Sequence, residues 1–112
     1  MNNSMRVACK EGTKIIGYWE VNSLPGCPQV AVSNHAFINP AYRNQGYGKF
    51  YHGERLRTLK ELGFNYVICT VKKTNVFQLK ILQRFGWKEF DGFHNTETGS
   101  DVLFYGKDLT NV

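Results

Sequence analysis

Two helical stretches set among runs of β-favouring residues predict an α/β (α+β) domain. The expected architecture is a mixed, mostly antiparallel sheet with a central parallel strand pair and two packed helices. Three observations carry this. Apolar residues change from strand-like to helical spacing twice, after Tyr47 and again after Asn75. Each helical stretch stops at a glycine, Gly63 and then Gly86. Strand, helix and strand follow one another through short joints between residues 29 and 71, which calls for a parallel crossover.

Residues 5–10 and 13–21 read as two strands joined at Glu11-Gly12, a short hairpin signal. Ile15, Ile16, Tyr18, Trp19 and Val21 favour strand, with imperfect alternation. Residues 22–28 hold two prolines and a glycine and read as a loop. The third strand is 29–38, with Val30, Val32, Ala36 and Ile38 in one phase and Asn34 interrupting it. Such a break marks a bulge or a place where something polar binds. Asn39-Pro40 ends the strand, because proline cannot donate to the ladder.

The first helix places Gly48, His52, Leu56, Leu59 and Gly63 on one stripe, with Leu62 beside it and Arg57, Lys60 and Glu61 outside. A strand at 65–71 follows. Thr74 or Asn75 can cap the second helix, whose apolar stripe is Phe77, Ile81, Leu82 and Phe85. Residues 87–93 and 102–109 then form an antiparallel hairpin across a polar loop at 94–101. Its aromatics, Trp87, Phe90, Phe93, Phe104 and Tyr105, are expected to pack it onto the helices.

At 112 residues, 42% of them hydrophobic, the chain supports one small core and is read as a single domain, 1–112. No apolar run has membrane length, and the polar start at residues 1–4 does not resemble a secretory leader. Cys9, Cys27 and Cys69 are odd in number and contain no close pair, which fits a reducing, cytoplasmic setting rather than a disulfide framework. No cluster has metal-ligand spacing, so no metal is expected. The net charge of +5 favours anionic partners, nucleic acid or a phosphate-rich cofactor alike, though the basic residues are scattered.

Between strand and helix lies the turn Arg43-Asn44-Gln45-Gly46-Tyr47-Gly48-Lys49, with two glycines and no acidic side chain. Glycines let successive backbone N–H groups converge, and the helix adds its positive end, which together make an anion cradle. These residues resemble the GNAT superfamily of N-acetyltransferases, whose signature Arg/Gln-x-x-Gly-x-Gly/Ala stands here as Arg43 through Gly48. Ile38-Asn39-Pro40-Ala41-Tyr42 resembles the family's approach to that turn. Asn75 opening a helix that ends Phe85-Gly86-Trp87 resembles its second motif. The compact form and closing hairpin are similar to small phage-encoded members.

The resemblance implies acetyl-CoA as cofactor and a sheet that splays between the strands at 29–38 and 65–71. It implies that the amides of Asn44, Gln45, Gly46, Tyr47, Gly48 and Lys49 hold the pyrophosphate, with Arg43 and Lys49 nearby. Ala36, Phe37 and Ile38 would pair with the pantetheine arm, and Asn75 would hydrogen-bond it. Two departures stand out. Family members carry helices between their first strands where this chain has only the loop at 22–28, which leaves an open acceptor side. That suits a large acceptor, or one completed by a second subunit of a homodimer. Leu82 occupies the position where the family often has a tyrosine that protonates the departing thiolate.

Amide formation from a thioester needs a neutral amine against the carbonyl, an oxyanion donor and a destination for a proton. An N–H near Phe37 or Ile38 is the expected donor. His35, beside the polar break, is a candidate base, or else a histidine bonded to a neighbouring carbonyl or to solvent. Tyr105, expected beside the strand at 65–71, is a candidate replacement acid or a core residue. His52 reads as packed inside and His94 as solvated. The expected function is acetyl transfer from acetyl-CoA to a primary amine, on a small molecule or a protein lysine or N-terminus. A degenerate CoA-binding protein and an enzyme acting on nucleic acid or its binding proteins are the alternatives.

Overall fold

The structure, a computed structural model, describes residues 4–112; residues 1–3, part of the polar start, and the side chain of His35 lie outside the described residues. Six strands and two helices follow in the order β1 (Met5–Glu11), β2 (Lys14–Leu24), β3 (Cys27–Ile38), α1 (Tyr47–Glu61), β4 (Tyr66–Lys72), α2 (Val76–Arg84), β5 (Lys88–Asn95) and β6 (Ser100–Asp108). The strands form one sheet in the order β1-β2-β3-β4-β6-β5, antiparallel except for the β3–β4 pair. The mixed sheet with a central parallel pair is therefore observed.

Residues 22–28 are not a loop. β2 runs to Leu24 and β3 starts at Cys27, leaving Pro25 and Gly26 as a two-residue turn, with Gly26 at φ +79°. A tight hairpin needs a positive φ there, and glycine supplies it. The polar loop expected at 94–101 is shorter, a turn at 96–99, since β5 extends through His94 to Asn95 and β6 starts at Ser100.

Both helices cover the same face of the sheet. A side chain on Gly48 would meet Phe77 and Ile81 of α2 at 3.7–3.8 Å, so the helices touch there. The covered face buries Ala31 and Ser33 from β3, Val67, Cys69 and Val71 from β4, and Trp19 and Tyr105. The buried phase of β3 is thus opposite to the Val30/Val32 phase expected from apolar residues, because α1 presses on the side that carries the small residues Ala31 and Ser33. The other face carries Tyr66, Phe90, Phe93 and Phe104, and no described helix covers it. Trp87 and Tyr105 pack towards the helices as expected, whereas Phe90 and Phe93 meet Phe104 on the bare side at 5.7–5.8 Å. Strand alternation puts Phe104 and Phe93 there once Tyr105 is paired with the buried Cys69, and the register irregularity between Glu89 and Asp91 brings Phe90 to the same side.

The parallel seam is short. Val30, Ala31 and Val32 pair with Tyr66, Val67 and Ile68, and the ladder stops there. Beyond it β3 keeps only β2 as a partner and β4 keeps only β6. The sheet is split as expected. Opposite Tyr18 and Glu20, β3 carries one extra residue between Asn34 and Phe37, so the polar break is a bulge.

Candidate active site

Where β3 and β4 part, the two helices and the end of β3 enclose a cleft of about 1090 Å3. Its mouth is the turn before α1. Asn44 and Gly46 both take left-handed conformations, at φ +63° and +84°, which turns the following amides towards one another. Gly46 caps α1 without a side-chain bond; its carbonyl accepts from Phe50 N–H at 3.1 Å. Among the described residues no acceptor meets the N–H groups of residues 44–49. The corner therefore presents unpaired donors and the positive end of a 15-residue helix, with no acidic side chain in its first turn.

Ala36, Phe37, Ile38, Arg43, Asn44, Gly46, Gly48, Lys49 and Asn75 all line this cleft, so the structure brings together most of the residues singled out from sequence. Gln45 and Tyr47 take other positions. The Gln45 amide donates to Ala41 O at 3.2 Å, and Tyr47 packs between Tyr42 and Tyr51. Arg43 donates from Nε to Ile38 O at 2.8 Å, tying the turn to the end of β3, and lies over the Phe37 ring. Asn75 caps α2 through Oδ1, which accepts from Gln78 N–H at 3.2 Å and leaves its amide NH2 free of that bond. Phe77, expected in the buried stripe of α2, is exposed at the cleft edge.

His35 lies in β3 by its backbone, on the strand that borders the split. Tyr105 lies one strand further on, paired with Cys69, and does not line the cleft. Its hydroxyl donates to Glu89 Oε1 at 3.4 Å and sits beside the Gln83 side chain; burial raises its pKa. Leu82, at the position of the family's frequent acid, is fully buried in the core. His94 meets Asp101 at 2.8 Å on the surface.

The inner end of the cleft holds groups that sequence reading missed. His52 and Arg55 of α1 are buried and line it, with Cys9 from β1 and Trp19 from β2. Trp87 donates its indole N–H to His52 Nε2 at 2.9 Å, and Arg55 Nη2 lies 2.9 Å from His52 Nδ1. Burial, then the charges of Arg55 and Lys107, push the His52 pKa down to about 3, so the ring is neutral. Burial also pushes the Cys69 thiol up to about 11, against the nearby Arg55 charge. No group of three or more metal-ligating side chains gathers among the described residues.

A mixed sheet split along its parallel seam, with a corner of open amides at the mouth of the split, defines the class of protein. The chain belongs to the Acetyltransferase (GNAT) family, whose model matches residues 1–87. No curated protein sequence matches it. Among solved structures, a Bacillus subtilis acetyltransferase in complex with CoA superposes with a TM-score of 0.83 at 14% identity, over 94% of this chain and 76% of that one. The ribosomal-protein-S18-alanine N-acetyltransferase of Escherichia coli gives 0.79 at 14%, over 95% and 69%. A Salmonella typhimurium protein solved with its cofactor acetyl-CoA gives 0.79 at 13%, over 96% and 65%. At these identities the likeness is one of fold. No described helix is long and apolar enough to cross a membrane.

Proposed function

We propose that the protein is an N-acetyltransferase that moves an acetyl group from acetyl-CoA to a primary amine in a ternary complex. Family membership and neighbours solved with CoA and acetyl-CoA support it. The observation that carries it is the row of unpaired N–H groups at 44–49, opening on a cleft beside the split seam. A diphosphate supplies the acceptors those amides lack. Lys49 and Arg43 add charge at the same corner, and Asn75 offers its free amide to the pantetheine arm along Ala36, Phe37 and Ile38.

The amine nitrogen bonds to the thioester carbonyl carbon, and the carbonyl oxygen takes negative charge beside an N–H at Phe37 or Ile38. The C–S bond then breaks and CoA leaves as a thiolate, while the surplus proton of the amine passes to a base. The reading gives that proton to His35, directly or through one water. Comparing pH–rate profiles of His35→Gln and wild type tests this; an unchanged profile removes His35 from the mechanism.

Saturating acetyl-CoA should raise the melting temperature by several degrees, since a ligand at one hundred times its Kd adds about 2.7 kcal/mol. Free thiol should appear when a suitable amine is added. No shift in excess acetyl-CoA would sink the reading. The burial of Leu82, which leaves no acid at that position, favours a second reading: a protein that holds CoA without turnover. A melting shift without thiol release across a broad amine panel would select it.

A further inference from the structure

Arg55 is a buried cation that meets no counter-ion among the described residues. Only 3% of it is exposed, and its Nε has no hydrogen-bond partner. Among the described residues no carboxylate pairs with it. An isolated charge is expensive to take out of water, so a guanidinium kept in this state calls for an anion.

Its single hydrogen-bonding neighbour does not supply what is missing. A guanidinium only donates, and so does an indole N–H. A neutral imidazole offers one lone pair and one N–H. If His52 Nε2 accepts from Trp87, then Nδ1 carries the hydrogen and faces the Arg55 donor. If Nδ1 accepts from Arg55, the Trp87 contact becomes donor against donor. His52 can serve one of the two, and the cluster is short of an acceptor. The thiols of Cys9 and Cys69 do not fill the gap, because burial keeps both protonated.

Arg55, His52 and Cys9 all face the cleft that opens at Gly46 and Gly48. Arg55 follows Gly48 by seven residues on α1, roughly 10 Å along the helix at 1.5 Å per residue. It is therefore a separate anchor from the amides at the mouth. One guanidinium balances one negative charge, and its planar fork matches a carboxylate. We infer that Arg55 recognises the acceptor: it receives a carboxylate borne by the amine substrate at the inner end of the cleft. This deepens the acetyltransferase reading and depends on it for the ligand's role, not for the existence of the anion site.

The probes are 4-aminobutyrate and its neutral analogue 4-aminobutyramide, with the full chain at matched ionic strength. In thermal melting, 4-aminobutyrate should stabilise wild type and the amide should not. Arg55→Met should abolish that response while keeping the shift given by acetyl-CoA. In acetylation assays wild type should prefer 4-aminobutyrate by roughly tenfold or more in kcat/KM, mainly through KM. Arg55→Lys, which keeps the charge without the fork, should retain a reduced preference, and decides the matter if Arg55→Met fails to fold. Equal responses to the two probes in wild type, with a normal acetyl-CoA shift, overturn the inference and leave the transferase reading standing. A carboxylate response without any acetyl-CoA shift does the reverse.

Discussion

The mouth and the inner end of one cleft hold their polar groups in opposite ways. At the mouth the donors are backbone amides of residues 44–49, which meet no acceptor among the described residues and border the open cleft. Solvent satisfies them until a ligand arrives, so they add little to the energy of the empty protein. At the inner end the polar groups are side chains sealed from solvent: His52, Arg55 and the indole of Trp87. The single imidazole of His52 meets only part of their need, and stability depends on the bond it does make. A change at the mouth should therefore be read in binding, and the loss of His52 at the inner end in folding.

The strongest way to break that contrast is His52→Ala. It removes the acceptor of the Trp87 indole, the imidazole nitrogen 2.9 Å from Arg55 Nη2, and a ring packed 4.8 Å from Phe85. Leaving a buried donor without its acceptor, with a cavity beside it, should cost about 3 kcal/mol. Urea denaturation measures it. A loss well under 1 kcal/mol would mean that water reaches the cluster and that the two regions do not differ as described.

Acid titration sharpens the same point with a smaller effect. Burial holds the His52 pKa in the fold down to about 3, against the ordinary 6.5 of a free imidazole. Below pH 6.5 the unfolded chain binds a proton that the folded chain refuses, so stability falls as pH falls. Between pH 6.5 and 5 the loss from this residue is about 2 kcal/mol, at 1.36 kcal/mol per unit. The difference between wild type and His52→Gln, measured by denaturation at each pH, should isolate it. A difference that does not change with pH would show that the ring protonates freely in the fold.

Gly46→Ala is the matching change at the mouth. A Cβ there meets nothing within 4 Å, so space does not require glycine; the φ of +84° does. Alanine in that region costs about 1–2 kcal/mol. The added methyl also stands beside the open amides, so the melting shift given by acetyl-CoA should shrink by much more than the stability does. Equal fractional losses would place the cradle elsewhere.

The mouth was legible in the sequence because Gly46 reports its left-handed backbone directly. The crossover and the caps at Asn75 and Gly63 followed from patterns of the same local kind, whereas the split seam was implied by the family resemblance. The inner end was harder to read. Arg55 lies three residues after His52 and four before Leu59, on the buried face of α1, but it stands in Glu54-Arg55-Leu56-Arg57, which reads as a solvated run. Helical spacing places it beside His52 and Leu59, whereas a guanidinium ordinarily faces water, so the sequence does not single it out. The hairpin failed for another reason. Phe90 and Phe93 stand three residues apart, so alternation alone puts them on opposite faces; the irregularity between Glu89 and Asp91 brings both to Phe104, and no residue pattern marks it.

Tyr105 lies outside the cleft and gives the smallest expected effect. Its hydroxyl points to Glu89, an exposed carboxylate that water can solvate once the partner is gone, and the 3.4 Å contact is long. Tyr105→Phe should thus cost under about 1 kcal/mol of stability, because no buried group is left unsatisfied. Turnover should change by less than roughly threefold, the hydroxyl being on the far side of Gln83 from the cleft; a fall of a hundredfold, about 2.7 kcal/mol, would instead mean that it reaches the leaving thiolate. That result would make Gln83, which lines the cleft and touches the same hydroxyl, the link between them, and Gln83→Leu should then reproduce the loss.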